Sequence, residues 1–184
     1  EPGPANMVLD GLMSRITNGR ALMDREWRLA AKGQVDSRLL AKLLAHPYLS
    51  QAPPKSTGRE AFGTKMLDEL LNWQHTRRLS VEDLLATCSR WTAEAVGTAR
   101  RWIKGGIDDV IVGGGGVRNR AIMGHLTDIF APVPVTSFEA HGWDSKALES
   151  VAFAVLAYQT IMEQCGNVPS VTGAASPRIL GCIV

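Results

Sequence analysis

Apolar residues recur at helical spacing along most of the chain. Over residues 5–17 they fall at Val8, Leu9, Leu12, Met13 and Ile16. That stripe predicts an amphipathic helix, with Asn18-Gly19 as its stop signal. Asp24 is placed to cap a short helix through Lys32, ended by Gly33. Asp36 is placed to cap the next, with Leu39, Leu40, Leu43 and Leu44 on one face and an end before Pro47. Residues 51–58, Gln-Ala-Pro-Pro-Lys-Ser-Thr-Gly, have no periodicity and read as a turn-rich loop. A helix is expected over 62–73, and the longest one begins at Ser80. Its first turn holds Glu82 and Asp83, where the helix dipole favours acids. Val81, Leu84, Leu85, Cys88, Trp91, Ala95, Ala99 and Trp102 keep one face apolar up to Gly105-Gly106.

The period changes after Gly106. Val110-Ile111-Val112 is a β-branched run entering four glycines, the pattern of a buried strand. A helix follows over about 119–130, and Val133-Pro134-Val135-Thr136 is a second strand. Residues 146–162 are apolar nearly all round in their middle, which predicts a buried helix. Residues 179–184 form a possible third strand. Strand–helix alternation argues for parallel pairing with helical crossovers. The expected class is therefore α/β, helix-rich, with a short, mostly parallel sheet. Two or three strands are few for so many helices, and further strands are expected upstream of Glu1.

Composition narrows the function classes. The chain has 184 residues, 45% hydrophobic and 21% charged, with a formal net charge of +2, as an ordinary globular domain does. Arg77-Arg78 and Arg100-Arg101 are short, isolated pairs that read as solvated helix faces. No basic stripe alternates with exposed aromatics, so no nucleic-acid partner is expected. Three widely spaced cysteines, Cys88, Cys165 and Cys182, make neither a disulfide framework nor a CxxC metal site and fit a reducing, cytoplasmic setting. No run of about 18 apolar residues is present, so no membrane span is expected.

Four segments carry candidate chemistry. Gly113-Gly114-Gly115-Gly116-Val117-Arg118-Asn119 follows a strand and opens a helix. Glycine lets a ligand approach the backbone, and free N–H groups at a helix start favour anions. The spacing is not GxGxxG, because Asn119 takes the third glycine position, and a tight turn without ligand would use the same residues. Lys55, Ser56, Thr57 and Gly58 concentrate donors on a constrained loop, which can equally be a surface turn. The following stretch, from Gly58 to Lys65, only imitates a P-loop: it ends Thr-Lys and follows no strand. Glu149 has Ala152, Phe153 and Leu156 on its face, a costly place for a carboxylate unless it is paired, hydrogen-bonded or near a metal. A helix N-terminus would also satisfy it. Asn6, after Gly3-Pro4, and the acid Glu1 would form a polar site at a helix start. His141 has no second histidine at metal-ligand spacing.

Taken together, the segments resemble the anhydro-N-acetylmuramic acid kinases of the actin–hexokinase–Hsp70 superfamily. Glu1-Pro2-Gly3-Pro4-Ala5-Asn6-Met7-Val8-Leu9-Asp10 is similar to the family's Asp-Thr-Gly-Pro-Gly/Ala-Asn phosphate segment. Residues 46–60 resemble the segment carrying its Pro-Lys-Ser-Thr-Gly-Arg-Glu loop, and 113–119 its glycine-rich adenosine segment. Glu149-Ser150-Val151-Ala152-Phe153-Ala154 and Gly166-Asn167-Val168-Pro169-Ser170-Val171-Thr172-Gly173-Ala174 match two more. Five motifs in order are specific where one would not be.

The resemblance implies an actin-like (ribonuclease H-like) fold of two lobes with ATP in the cleft. This chain would be the C-terminal, nucleotide-side lobe over 1–184, lacking the lobe before it and inactive alone. It implies ring opening of 1,6-anhydro-N-acetylmuramic acid by water coupled to 6-O-phosphorylation, in peptidoglycan recycling. Mg²⁺ would offset phosphate charge, with Glu149 as a catalytic and metal-holding group at the interlobe cleft. Adenosine would lie on Gly113, Gly114, Gly115, Gly116 and Asn119, with Lys55, Ser56, Thr57 and Gly58 nearby and Gly3 and Asn6 on the phosphate side. Glu1 stands where the family has its general-base aspartate, and Pro2 where it has threonine. One extra methylene matters where catalytic distance is demanding. Levoglucosan kinases share these motifs, and a non-catalytic nucleotide-binding or oligomerisation lobe is the other class left open. A homodimer is expected.

Overall fold

The computed structural model describes residues 1–182. Nine α-helices and two strands lie among them: α1 Met7–Ile16, α2 Ser37–Leu44, α3 Pro47–Ser50, α4 Arg59–Phe62, α5 Thr64–Arg77, α6 Val81–Thr98, β1 Val110–Val112, α7 Arg120–Phe130, β2 Val135–Ser137, α8 Leu148–Ile161 and α9 Pro169–Thr172.

The fold is organised around α6. Ser80 caps it, its hydroxyl accepting from the Asp83 amide at 3.0 Å. Leu84, Leu85, Cys88, Trp91, Ala93 and Ala95 of α6 are buried. Helices α1, α2, α5 and α7 pack round it, contributing Val8, Leu9 and Leu12, Leu39 and Leu43, Leu70, and Ile122, Leu126 and Phe130. Phe62 meets Trp91 edge-on at 5.6 Å and Tyr48 at 5.6 Å. Interiors of this kind are close-packed, so each of these side chains is held in one place.

The two strands run parallel, Val110 opposite Val135 and Val112 opposite Ser137. This is the expected parallel pairing across a helical crossover, α7. The sheet has two strands among the described residues, and one consequence corrects the sequence reading. Ile111 is 45% exposed, so β1 is not a buried strand; a two-stranded sheet leaves one face uncovered.

Other expectations shift for local reasons. No α-helix joins Asp24 to Lys32. Two 3-10 turns, Arg25–Trp27 and Ala30–Lys32, occupy that stretch. Glu26 (φ 56°) and Trp27 (φ 57°) are left-handed, which no α-helix accommodates. Asp24 therefore caps the second turn, accepting from the amides of Leu29 and Ala30. The helix expected over 62–73 is split at Gly63 into α4 and α5. After Thr98 the chain tightens to a 3-10 turn, Ala99–Trp102. Three residues per turn rotate Trp102 off the apolar face, and it is 41% exposed.

Helix α8 is the largest departure. It was expected to be buried, yet it holds no buried residue. Phe153 is 72% exposed and Ile161 69%. All-round apolarity records a need for cover, but none of the core cluster comes from α8. Its contacts run along a narrow stripe, with Leu156 near Gly166 and Thr160 donating to the Leu180 carbonyl. Residues 179–182 form no strand; the rest of that expected strand, 183 and 184, lies outside the described residues.

Candidate functional site

A cleft of about 1300 Å³ opens where four pieces of backbone converge. They are the start of α1, the turn around Arg25–Trp27, the glycine-rich turn after β1, and the start of α8 with the loop before it. The start of α1 is set by Ala5, which is left-handed (φ 48°) and whose carbonyl accepts from Thr92 of α6 at 3.2 Å. That bend delivers Asn6 to the cleft as the first residue before α1. Asp10 lies one helical turn on and faces the same cleft.

The glycine-rich turn is a 3-10 segment, Gly114–Arg118, rather than the start of an α-helix. Gly114 is left-handed (φ 73°), which favours glycine. The glycines then divide by role. A Cβ at Gly113 would sit 2.7 Å from Phe138, so that glycine is needed for packing. A Cβ at Gly115 would meet only the Asn6 amide, at 3.6 Å, and one at Gly116 would meet nothing within 4 Å. Gly115 thus faces open space beside Asn6, the surface a ligand would need. Asn119 caps α7, its carboxamide oxygen accepting from the Ile122 amide at 3.0 Å. It is fully buried and takes no part in lining the cleft.

Charge and orphaned polar atoms mark the cleft as polar. Arg25, Arg28, Arg118, Arg120 and Lys146 line it, against Asp10, Glu26, Glu139 and Glu149. Arg28 pairs with Glu26 and Glu139 accepts from the Ser145 amide. Arg118, Arg120 and Lys146 make no ion pair among the described residues. The Asn6 Oδ1 and Asp10 Oδ1 atoms are buried without a hydrogen-bond partner, and burial pushes the Asp10 carboxyl above its ordinary range. Such atoms cost free energy unless something else completes them. Open glycine backbone, unpaired cations and unpartnered oxygens fit a polyphosphate nucleotide with a divalent cation.

The remaining predicted residues form a second group beside Tyr48. The Glu1 carboxylate accepts from the Thr57 amide at 2.9 Å, and the Glu1 amino group donates to the Lys55 carbonyl at 3.0 Å. The Lys55 ammonium donates to the Tyr48 carbonyl and stands 4.5 Å over the Tyr48 ring. The Gly58 amide donates to Glu60, and Ser56 is exposed. Gly3 abuts Ala95 of α6, where a Cβ would come within 2.8 Å. So Glu1, Lys55 and Thr57 are brought together, and Asn6, Gly113, Gly114, Gly115 and Glu149 are brought together, but none of the first group lines the cleft. Glu149 lines it while exposed to solvent. The burial cost argued from its apolar neighbours does not arise, because α8 is uncovered.

The family model described as Anhydro-N-acetylmuramic acid kinase matches residues 1–184, the whole chain. The chain belongs to the anhydro-N-acetylmuramic acid kinase family. Curated relatives of that name include proteins of Clostridioides difficile (38% identical over 187 residues), Cyanothece sp. (40% over 182) and Salinibacter ruber (40% over 186). These cover 98–100% of this chain and 46–48% of each relative. The chain spans about half the length of the curated relatives it matches.

Within this member of the family, three site features escaped the sequence reading. Asp10 ends the phosphate-like segment but drew no role of its own, because it sits on the polar side of the α1 stripe. Its i, i+4 relation to Asn6 was the available signal. The Arg25–Trp27 turn was hidden by a helical reading of its neighbours. Arg118 and Arg120 flank a cap residue and give no pattern of their own. No helix among the described residues is long and apolar enough to cross a membrane.

Proposed function

We propose that residues 1–184 form the nucleotide-side lobe, of actin-like (ribonuclease H-like) architecture, of a cytoplasmic ATP-dependent kinase. Its substrate is 1,6-anhydro-N-acetylmuramic acid, opened by water at the anhydro bridge and phosphorylated on the 6-oxygen, a step of peptidoglycan recycling. The observation that carries this reading is convergence. In a chain matched throughout by one kinase family, the phosphate-segment Asn6, the adenosine-segment Gly113, Gly114 and Gly115, and Glu149 line a single cleft.

ATP supplies the phosphoryl group, and Mg²⁺ when bound offsets its charge. The chain's own residues then bind, orient and move a proton. Gly114 and Gly115 leave the backbone open to the nucleotide, with Gly116 and Asn119 completing and capping the turn. Arg118, Arg120 and Lys146 supply positive charge to the phosphates, preorganised as phosphoryl transfer requires. Glu149, at the first turn of α8, holds the cation or the sugar. Glu1, which stands beside this cleft's residues in sequence but outside its lining, is the general base that takes the proton of the attacking water. The Thr57 amide anchors its Oε2, and Lys55, Ser56, Thr57 and Gly58 form the loop that positions it. Gly3 keeps the segment close against α6. A homodimer remains part of this reading, and sedimentation of the full-length protein tests it.

The decisive experiment offers the full-length protein two anhydro sugars with ATP. Phosphorylation of 1,6-anhydro-N-acetylmuramic acid with N-acetylmuramic acid 6-phosphate as product is the expected result. Preference for levoglucosan would transfer the reading to that substrate, and turnover of neither would remove it.

A further inference from the structure

Of the cleft's carboxylates, Glu26 and Glu139 are engaged by neighbouring residues and Glu149 has an assigned role, which leaves Asp10. Asp10 is half-buried on α1, and its Oδ1 has no partner. Asn6, four residues earlier on the same helical face, presents a second buried, unpartnered oxygen, Oδ1. Both residues line the cleft, and the Asn6 side-chain amide nitrogen stands 3.6 Å from where a Cβ on Gly115 would lie. We propose that Asn6 Oδ1 and Asp10 Oδ1 are a paired oxygen site for the divalent cation that accompanies the nucleotide phosphates. The inference rests on reading the cleft as a nucleotide site.

Three arguments converge on a cation. First, a bare carboxylate beside a polyphosphate is repelled, and more strongly in a cleft than in water. A positive ion between them reverses that sign. Second, both unpartnered atoms are oxygens and acceptors, a hard donor set. Magnesium takes one or two protein oxygens, completing its shell with phosphate oxygens and water. Third, neither Asn6 Oδ1 nor Asp10 Oδ1 has a hydrogen-bond partner among the described residues. Among them no ion pair reaches Asp10, and the cations of the cleft belong to other segments. Two buried oxygens left without a partner cost free energy, and a protein keeps such groups where function requires them at the expense of stability. A ligand hydroxyl is the competing partner for Asp10, and it predicts a different result below.

The test is ATP affinity of the full-length protein by calorimetry, with Mg²⁺ and then with EDTA, for wild type and Asp10→Asn. The neutral isostere keeps the shape and removes the charge. With Mg²⁺, Asp10→Asn is expected to weaken ATP binding by about tenfold or more, the usual scale for disturbing a metal shell. With EDTA the same variant is expected to bind ATP as well as wild type or better, because a repelling charge has gone. Asn6→Ala should reduce the Mg²⁺-dependent gain as well. The melting temperature of the apo protein is expected to rise in Asp10→Asn, which shows that the variant folds and that the native charge is a burden. Weakening of equal size in both buffers would assign Asp10 to a ligand hydroxyl or to the fold and overturn the cation site. An unchanged Mg²⁺ dependence would do the same. If wild type binds ATP in neither buffer, the nucleotide reading of the cleft fails first and takes this site with it.

Discussion

Glu149 and His46 show how local environment separates function from structure. Glu149 is exposed at the first turn of α8, so its charge does little for folding. In the full-length enzyme, Glu149→Gln should lower turnover by about 10²-fold or more, the typical loss of an electrostatic group aimed at a transition state. Its melting temperature should barely move. A loss of roughly 1 kcal/mol in stability with turnover intact would mark a helix-end role instead. His46 is the reverse case. Its Nδ1 accepts from the Tyr48 amide at 3.3 Å, which only the neutral ring can do. Burial holds the imidazole below its ordinary range, against the pull of Glu69 in the other direction. The unfolded chain then binds the proton more readily than the folded one. Stability should therefore be full above about pH 6.5 and fall as pH drops through that unfolded value toward the lower folded one. Denaturant midpoints at pH 7.5 and 5.5 check this: His46→Gln should flatten the difference, and an unchanged slope would show that another group is responsible.

At the scale of elements, legibility followed local chemistry. Asp36 caps α2 as its sequence position predicts, and Ser80 and Asn119 cap α6 and α7 in the same way, each oxygen accepting from an amide three residues on. The turn at 25–27 was not legible, since Glu26 and Trp27 take left-handed backbone with no glycine in the sequence to signal it. Burial of α8 was misread because periodicity reports what a helix needs and is silent on what covers it. The same contrast sets two stability outcomes. Trp91 is fully buried at the centre of α6, and Trp91→Ala should cost about 3–5 kcal/mol. Phe153 is largely exposed on α8, and Phe153→Ser in the isolated 184-residue chain should stay within about 0.5 kcal/mol. Urea unfolding reads both. A large loss from Phe153→Ser would show that α8 is covered after all.

For the whole molecule, the parallel pairing of β1 and β2 and the helix-rich α/β class were readable from strand–helix alternation alone. The site was readable only in part. The motif segments named Asn6, the glycines and Glu149, but one cleft for these and a separate cluster for Glu1, Lys55 and Thr57 is a product of tertiary geometry. Sequence spacing does not encode which face of a glycine turn stays open. Only at Gly115 does an added side chain point into free space beside Asn6, whereas at Gly113 it strikes Phe138. The central claim is that this cleft holds a nucleotide, and the most direct measurement is titration of ATP with Mg²⁺ into the full-length protein and its Gly115→Val variant. The account predicts saturable binding by wild type and loss of binding in Gly115→Val, with the variant's melting temperature close to wild type. Equal affinity in the two proteins would contradict it.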